Sequence, residues 1–188
     1  MKVLICLCGL PGSGKSLISK AGEELNIPVI VMGDYVRKEA KKRYGVINSE
    51  TTRKTMIELR EELGPEAVAK LMAEDVKKLD SKVVIIDGVR SIYEINFLRQ
   101  EGYRVIVIFV YASTKKRFGR IVGRGRIDDT RDLSDFFERE IKEVKVGLKD
   151  ALCLADYVFV NEELSKEEAL SMFKKLINEI MHLEGIKL

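Results

Sequence analysis

The chain of 188 residues has no tryptophan, one histidine, one glutamine and three cysteines, and its formal net charge is only +3. Each shortage excludes something. The single His182 stands near the C-terminal end and reads as a surface residue of the last helix, so chemistry that needs a histidine base is ruled against. Cys6, Cys8 and Cys153 form an odd set without zinc-ligand spacing. All three read as small reduced core residues of a cytoplasmic protein. No stretch approaches the roughly 18 continuous apolar residues of a membrane span. The first apolar run is short and reads as a strand, not a signal peptide. A charge this close to zero, without aromatic residues interleaved among the basic ones, argues against nucleic acid as the main partner. Repeats and low-complexity tracts are absent, and nothing specifies an oligomeric state.

Charge of both signs is abundant: Asp, Glu, Lys and Arg make up 34% of the chain. That balance matches the ion-pair networks of thermophile surfaces. Short β-rich runs alternate with helical patterns. Strands are expected at 2–7, 28–32, 82–87, 104–110 and 157–160. Helices are expected at 15–25, 92–100, 115–122 and 133–154, with a last one capped by Ser165 and Glu168 as a capping box. Apolar strands separated by helices imply a parallel sheet covered on both faces, with ligands outside the carboxyl ends of its strands. One interval breaks the alternation. Residues 33–80 carry only helical patterns (34–44, 49–63 and 65–79) and read as an inserted lobe over a second substrate.

The most specific motif is Gly9-Leu10-Pro11-Gly12-Ser13-Gly14-Lys15-Ser16, which fills the Walker A pattern G-x-x-x-x-G-K-[ST] at every fixed position. Its glycines let backbone N–H groups converge on phosphates, Lys15 reaches the β- and γ-phosphates, and the Ser16 hydroxyl is a Mg²⁺ ligand. The helix that follows directs its positive dipole end at the same charge. Asp87, at the end of the apolar run 83–86, is the second metal-site candidate. Arg90 follows it, and Arg37 stands three residues after Asp34. Both arginines are candidates for bidentate contact with an acceptor phosphate, and Arg60 in the lobe joins the acceptor-binding set. Arg117, Arg120 and Arg124 share one helical face, and Gly123 and Gly125 are expected to end that helix in a short arginine flap over 124–133, which suits phosphoryl transfer. Asn161 follows the last strand.

Four segments resemble the nucleoside monophosphate kinases of the adenylate kinase type: the phosphate loop, Gly33-Asp34-x-x-Arg37, Asp87-Gly88-x-Arg90, and Arg120-Ile-Val-Gly123-Arg124. The segment Ala155 to Asn161 resembles the last strand of dephospho-coenzyme A kinases, and the whole chain is similar to an archaeal group of adenylate kinase-related P-loop kinases. The resemblance implies one P-loop NTPase domain over 1–188, a three-layer α/β/α fold with a five-stranded parallel sheet, an acceptor lobe at 33–80 and a short lid without zinc cysteines. It implies ATP as donor with Mg²⁺, Arg124 on the donor triphosphate, Asn161 near the adenine, and Arg37 and Arg90 on the acceptor phosphate. Arg131 and Arg139 fall near the family's arginines after the lid, and Arg126 has no assigned role. The expected activity is γ-phosphoryl transfer from ATP to an AMP-like monophosphate, with Lys15, Arg90, Arg124 and Asp34 as its catalytic set. The alternatives are a hydroxyl-acceptor kinase with Asp34 as base, and a non-catalytic ATP-binding regulator. A GTPase is argued against by Asn161-Glu162-Glu163-Leu164, which lacks the guanine-reading lysine and aspartate.

Overall fold

The computed structural model describes residues 1–124 and 132–186. Five parallel strands stand in the order β2-β3-β1-β4-β5: β1 (Val3–Cys8), β2 (Val29–Val31), β3 (Val83–Asp87), β4 (Arg104–Tyr111) and β5 (Tyr157–Val160). The helices are α1 (Lys15–Glu24), α2 (Met32–Tyr44), α3 (Ser49–Leu63), α4 (Ala67–Lys78), α5 (Ile92–Gln100), α6 (Thr114–Arg124), α7 (Leu133–Glu143), α8 (Lys149–Cys153) and α9 (Lys166–Leu183), with a wide turn at Val144–Leu148 between α7 and α8. This is the three-layer P-loop α/β fold expected from the alternation.

The strands are apolar at successive positions because both sheet faces are covered. Val3, Ile5, Leu7, Ile106 and Ile108 point to α1 and α9, where Ile18, Ala21, Phe173 and Ile177 meet them. Leu4, Cys6, Cys8, Val84, Ile86 and Val107 point the other way, onto Val36 of α2, Met72 and Val76 of α4, and Ile95 and Leu98 of α5. Each buried Val, Leu, Ile, Met or Phe side chain among them contributes about 1.5–3 kcal/mol by leaving water. The edge strand β5 is anchored by Phe159, whose ring lies 3.8 Å from that of Phe173, and by Asp156, whose carboxylate accepts from the Val107 N–H at 2.7 Å. After β1 the chain turns to β2 and β3 on one side, then crosses to β4 on the other. The loop after β1 therefore opens at the switch point of the sheet, where ligands bind in such folds.

The structure corrects four local expectations. Met32 belongs to α2, not to the second strand. The expected single helix at 133–154 is divided, because Gly147 takes φ 117° and forces the wide turn between α7 and α8. Gly123 lies inside α6, which runs on to Arg124. Cys153 is exposed, so only Cys6 and Cys8 are core cysteines. Burial pushes the Cys8 thiol up to about 12 and raises Cys6 as well, which leaves both as inert thiols. The expected capping box forms: Ser165 N–H donates to Glu168 Oε2 at 2.8 Å and Glu168 N–H to Ser165 Oγ at 3.2 Å. His182 is exposed on α9, as read from the sequence. Among the described residues no helix is long and apolar enough to cross a membrane.

Candidate active site

Residues 9–14 bridge β1 and α1. Gly9 and Gly12 hold φ of 143° and 81°, and each lies against a neighbouring backbone. A Cβ on Gly9 would stand 2.5 Å from Val110 O, and one on Gly12 would stand 2.6 Å from Arg117 O. Helix α1 starts without a side-chain cap and without an acidic residue in its first turn. Its first N–H groups are thus left for an anion, reinforced by the helix dipole. Ser13 Oγ is buried beside them with no hydrogen-bond partner. This donor-rich, uncapped cradle fits the phosphate chain of a nucleotide.

Lys15 folds back over the loop, its Nζ donating to Gly9 O at 2.6 Å and to Leu10 O at 3.1 Å. Burial pulls its ammonium down to about 8 from an ordinary 10.5, against the opposing pull of Asp87, while Arg90 lowers it further and Glu143 raises it. The sign is that of a cation short of anionic partners. Fold stability should rise as pH increases from about 8 to 10.5, because the unfolded chain binds the proton more strongly there. A triphosphate supplies the missing anion, so ATP binding near pH 8 should take up about half a proton. Calorimetry in buffers of different ionisation enthalpy measures this uptake, which should be absent in Lys15→Ala.

Asp87 ends β3 half-buried beside β1, in register with Leu7. Its Oδ2 accepts from Ser19 Oγ at 2.9 Å. Ser16, one turn earlier on α1, is exposed. No group of three or more His, Cys, Asp or Glu side chains able to hold a metal occurs among the described residues. Mg²⁺ fits this arrangement, since it binds through one or two protein oxygens together with substrate phosphates and water. Ser16 and Asp87 are the residues that would hold it.

Arg120 and Asn161 act on the loop itself. Asn161 is buried and donates through Nδ2 to Ser13 O at 2.8 Å. Arg120 donates to Asn161 O at 3.0 Å and to Ser13 O at 3.4 Å. Together they tie β5 and α6 to the phosphate loop. Arg117, on the same helix, is instead a structural cation: it is buried, donates to Ala112 O at 2.8 Å, and pairs with Glu140 of α7. Phe118 and Phe136 pack edge to face at 5.3 Å and fix α7 against α6. Arg124 is the exposed last residue of α6, and Arg139 lies half-buried on α7. Of the expected lid, residues 125–131, with Arg126 and Arg131, lie outside the described residues.

The expected acceptor residues fall into two groups. Asp34 and Arg37 form their own ion pair in the first turn of α2, with the Asp34 side chain 65% exposed. Arg60 and Arg90 are set deeper. Arg90 pairs with Glu143 at the end of α7 and approaches Met56 Sδ at 4.0 Å, while Met56 O accepts from Arg60 Nη1 at 3.4 Å. The buried Glu94 underlies both arginines: its Oε2 accepts from the Arg90 N–H at 2.7 Å, and its Oε1 lies 3.9 Å from Arg60 Nη2. Burial raises the Glu94 carboxyl despite these partners and lowers the Arg60 guanidinium. Sequence reasoning does not find Ser19, Glu94 or Glu143. Glu94 left one trace, since it stands three residues after Ser91 in a capping box. Glu143 left none, because its partner Arg90 lies 53 residues away along the chain.

Comparison with known proteins agrees with this architecture. The family model described as an AAA domain (AAA_17) matches residues 8–135, from the phosphate loop to the start of α7. The UPF0200 protein of Thermococcus onnurineus is 42% identical over 183 residues, covering 95% of this chain and 98% of the relative. Among solved structures, TT1252 from Thermus thermophilus superposes with a TM-score of 0.63 at 17% identity, over 95% of this chain and 98% of that one. Shikimate kinase from Bacteroides thetaiotaomicron gives 0.60 at 18% identity, over 94% and 98%. The structural likenesses carry the fold, while the family model and the close relative carry descent: the chain belongs to the AAA domain family AAA_17 and to the UPF0200 proteins.

Proposed function

We propose that this protein is an ATP- and Mg²⁺-dependent phosphotransferase that moves the γ-phosphoryl group to a nucleoside monophosphate of the AMP type. The observation that supports the reading is the closeness of two sets of cationic side chains. One is the loop 9–16 with Lys15. The other is the Arg60–Arg90 cluster, close enough that Arg90 lowers the Lys15 ammonium. A hydrolase has no use for the second. Lys15 and the α1 N-terminus bind the donor phosphates, Arg60 and Arg90 bind the acceptor phosphate with Arg37 at the rim, and Arg124 closes on the donor from the lid. Ser16 and Asp87 would hold Mg²⁺, which would supply charge neutralisation at the transferring group when bound. An acceptor phosphate has a second pKa near 6 and is largely a dianion at pH 7, so no base is required. Asp34 supports this, being occupied by Arg37 on an exposed turn. Small nucleotides are then the partners, and the two buried cysteines suit a cytoplasmic setting.

A second reading, transfer to a hydroxyl, is favoured by the shared fold with a shikimate kinase. The two separate on Asp34→Asn: a collapse in turnover with unchanged binding supports a hydroxyl acceptor, and a modest loss supports a phosphate. A coupled ADP-release assay against monophosphates, dephospho-coenzyme A and shikimate tests the whole proposal. AMP is expected to stimulate most. ATP binding without stimulation by any acceptor would replace the kinase with an ATP-binding regulator.

A further inference from the structure

One nearly buried carboxylate, Glu143, has no part in the transfer described above. Its side chain is only 8% exposed and is paired with Arg90 Nη1. It closes α7, and directly after it come the wide turn and Gly147. The turn docks on the segment that carries Arg90: a Cβ on Gly147 would lie 3.4 Å from Ser91 Cβ. Residues 143–148 therefore meet Arg90-Ser91 through an ion pair and a close approach of Gly147 to Ser91.

The neighbouring Arg60 is in the opposite condition. Its Nη2 is buried without a hydrogen-bond acceptor, and Glu94 Oε1 at 3.9 Å is too distant to serve. Two guanidinium groups thus share one site, one with a carboxylate in place and one with an open donor. A phosphate monoester has enough oxygens to serve both. It cannot pair with Arg90 Nη1 while Glu143 is there, because the Glu143 carboxylate occupies that donor and repels a second anion beside it.

We propose that Glu143 is a placeholder for the acceptor's anionic group, and that the acceptor binds by displacing it from Arg90, which frees the turn at 143–148. This rests on the reading of Arg90 as an acceptor ligand. The placeholder sets specificity. A carboxylate tethered in the same chain competes at high effective concentration, so only a dianionic group with bidentate reach to Arg60 and Arg90 displaces it. Neutral acceptors such as a nucleoside gain nothing from the site.

Calorimetric titration of the full chain with AMP and with inorganic phosphate tests this. Glu143→Gln keeps the shape and removes the competing charge, and it should tighten both ligands about tenfold. Equal or weaker binding would show that Glu143 merely orients Arg90, and would overturn the proposal. In the unsubstituted protein, amide hydrogen exchange at 143–148 should speed up when AMP saturates the site; unchanged or slower exchange overturns it without any variant. Arg90→Ala separates the two levels. If it leaves AMP affinity unchanged, the acceptor reading falls together with the placeholder. If it weakens AMP while Glu143→Gln fails to tighten it, the placeholder alone falls.

Discussion

Lys15→Ala should lower turnover by about 10²–10³-fold or more while the protein stays folded. Lys15 is the cation of the loop, and its hydrogen bonds in the free protein go to the loop's own carbonyls, Gly9 O and Leu10 O. Burial, with Arg90 nearby, pulls the ammonium down to about 8 against the opposing pull of Asp87. Its charge is better compensated when β- and γ-phosphates arrive, and best when negative charge shifts onto the bridging oxygen during transfer. Removing it takes away an interaction that strengthens toward the transition state, so kcat should fall more than ATP affinity. Removing a cation that the free fold compensates poorly should not lower the melting temperature near pH 7. Steady-state kinetics together with thermal unfolding measure both effects. A small kinetic loss with a large loss of melting temperature would make Lys15 a structural residue.

A large stability effect is expected from Gly12→Ala. The residue holds φ 81°, and the added Cβ would lie 2.6 Å from Arg117 O and 3.0 Å from Arg117 Cα. Both contacts are to backbone of α6, so neither can be relieved by rotating a side chain. Strain from the left-handed conformation and from overpacking together should cost about 2–4 kcal/mol, or about 5–15 °C in melting temperature for a chain of this size. Nucleotide affinity should fall as well, because the loop must move off α6 and away from Arg120. Gly119→Ala is the matched control. It lies within α6, and its Cβ would meet nothing within 4 Å, so higher helix propensity should make the change neutral or stabilising by up to about 1 kcal/mol. Similar behaviour of the two variants would mean that the close approach of loop and helix is not what Gly12 is for.

The contrast between these glycines shows what a sequence can and cannot carry. The Walker A pattern announced Gly9 and Gly14 because its requirement is local, a tight turn around an anion, whereas Gly12 stands at one of its variable positions. The strands were legible for a similar reason, since Val83 to Ile86 and Val105 to Val110 are apolar on both faces and only a doubly covered sheet asks for that. Gly147 and Gly123 were not legible. One breaks a helix by taking a positive φ, and the other sits quietly inside one. Gly147 lies against Ser91, a contact distant in sequence that its chain neighbours do not announce, while a Cβ on Gly123 would meet nothing within 4 Å.

The site divides the same way. Lys15, Asp87 and Arg90 follow strand ends, and topology alone brings them to one edge. Arginines 117, 120 and 124 were read as one basic face, yet Arg117 is buried in an ion pair with Glu140 and Arg120 grips the loop. Periodicity groups residues by direction, and burial then gives each a different partner. Ser19 and Glu143 depend on contacts 68 and 53 residues distant along the chain, a separation that no local pattern encodes.

The proposed reaction is transfer between two phosphates at one site. The most direct test is the fate of a radioactive γ-phosphate when the protein is incubated with labelled ATP, Mg²⁺ and AMP. The label should appear in newly formed ADP, and this product should be lost in Lys15→Ala and strongly reduced in Arg90→Ala. Label recovered only as inorganic phosphate, at a rate indifferent to AMP and to Arg90, would contradict it.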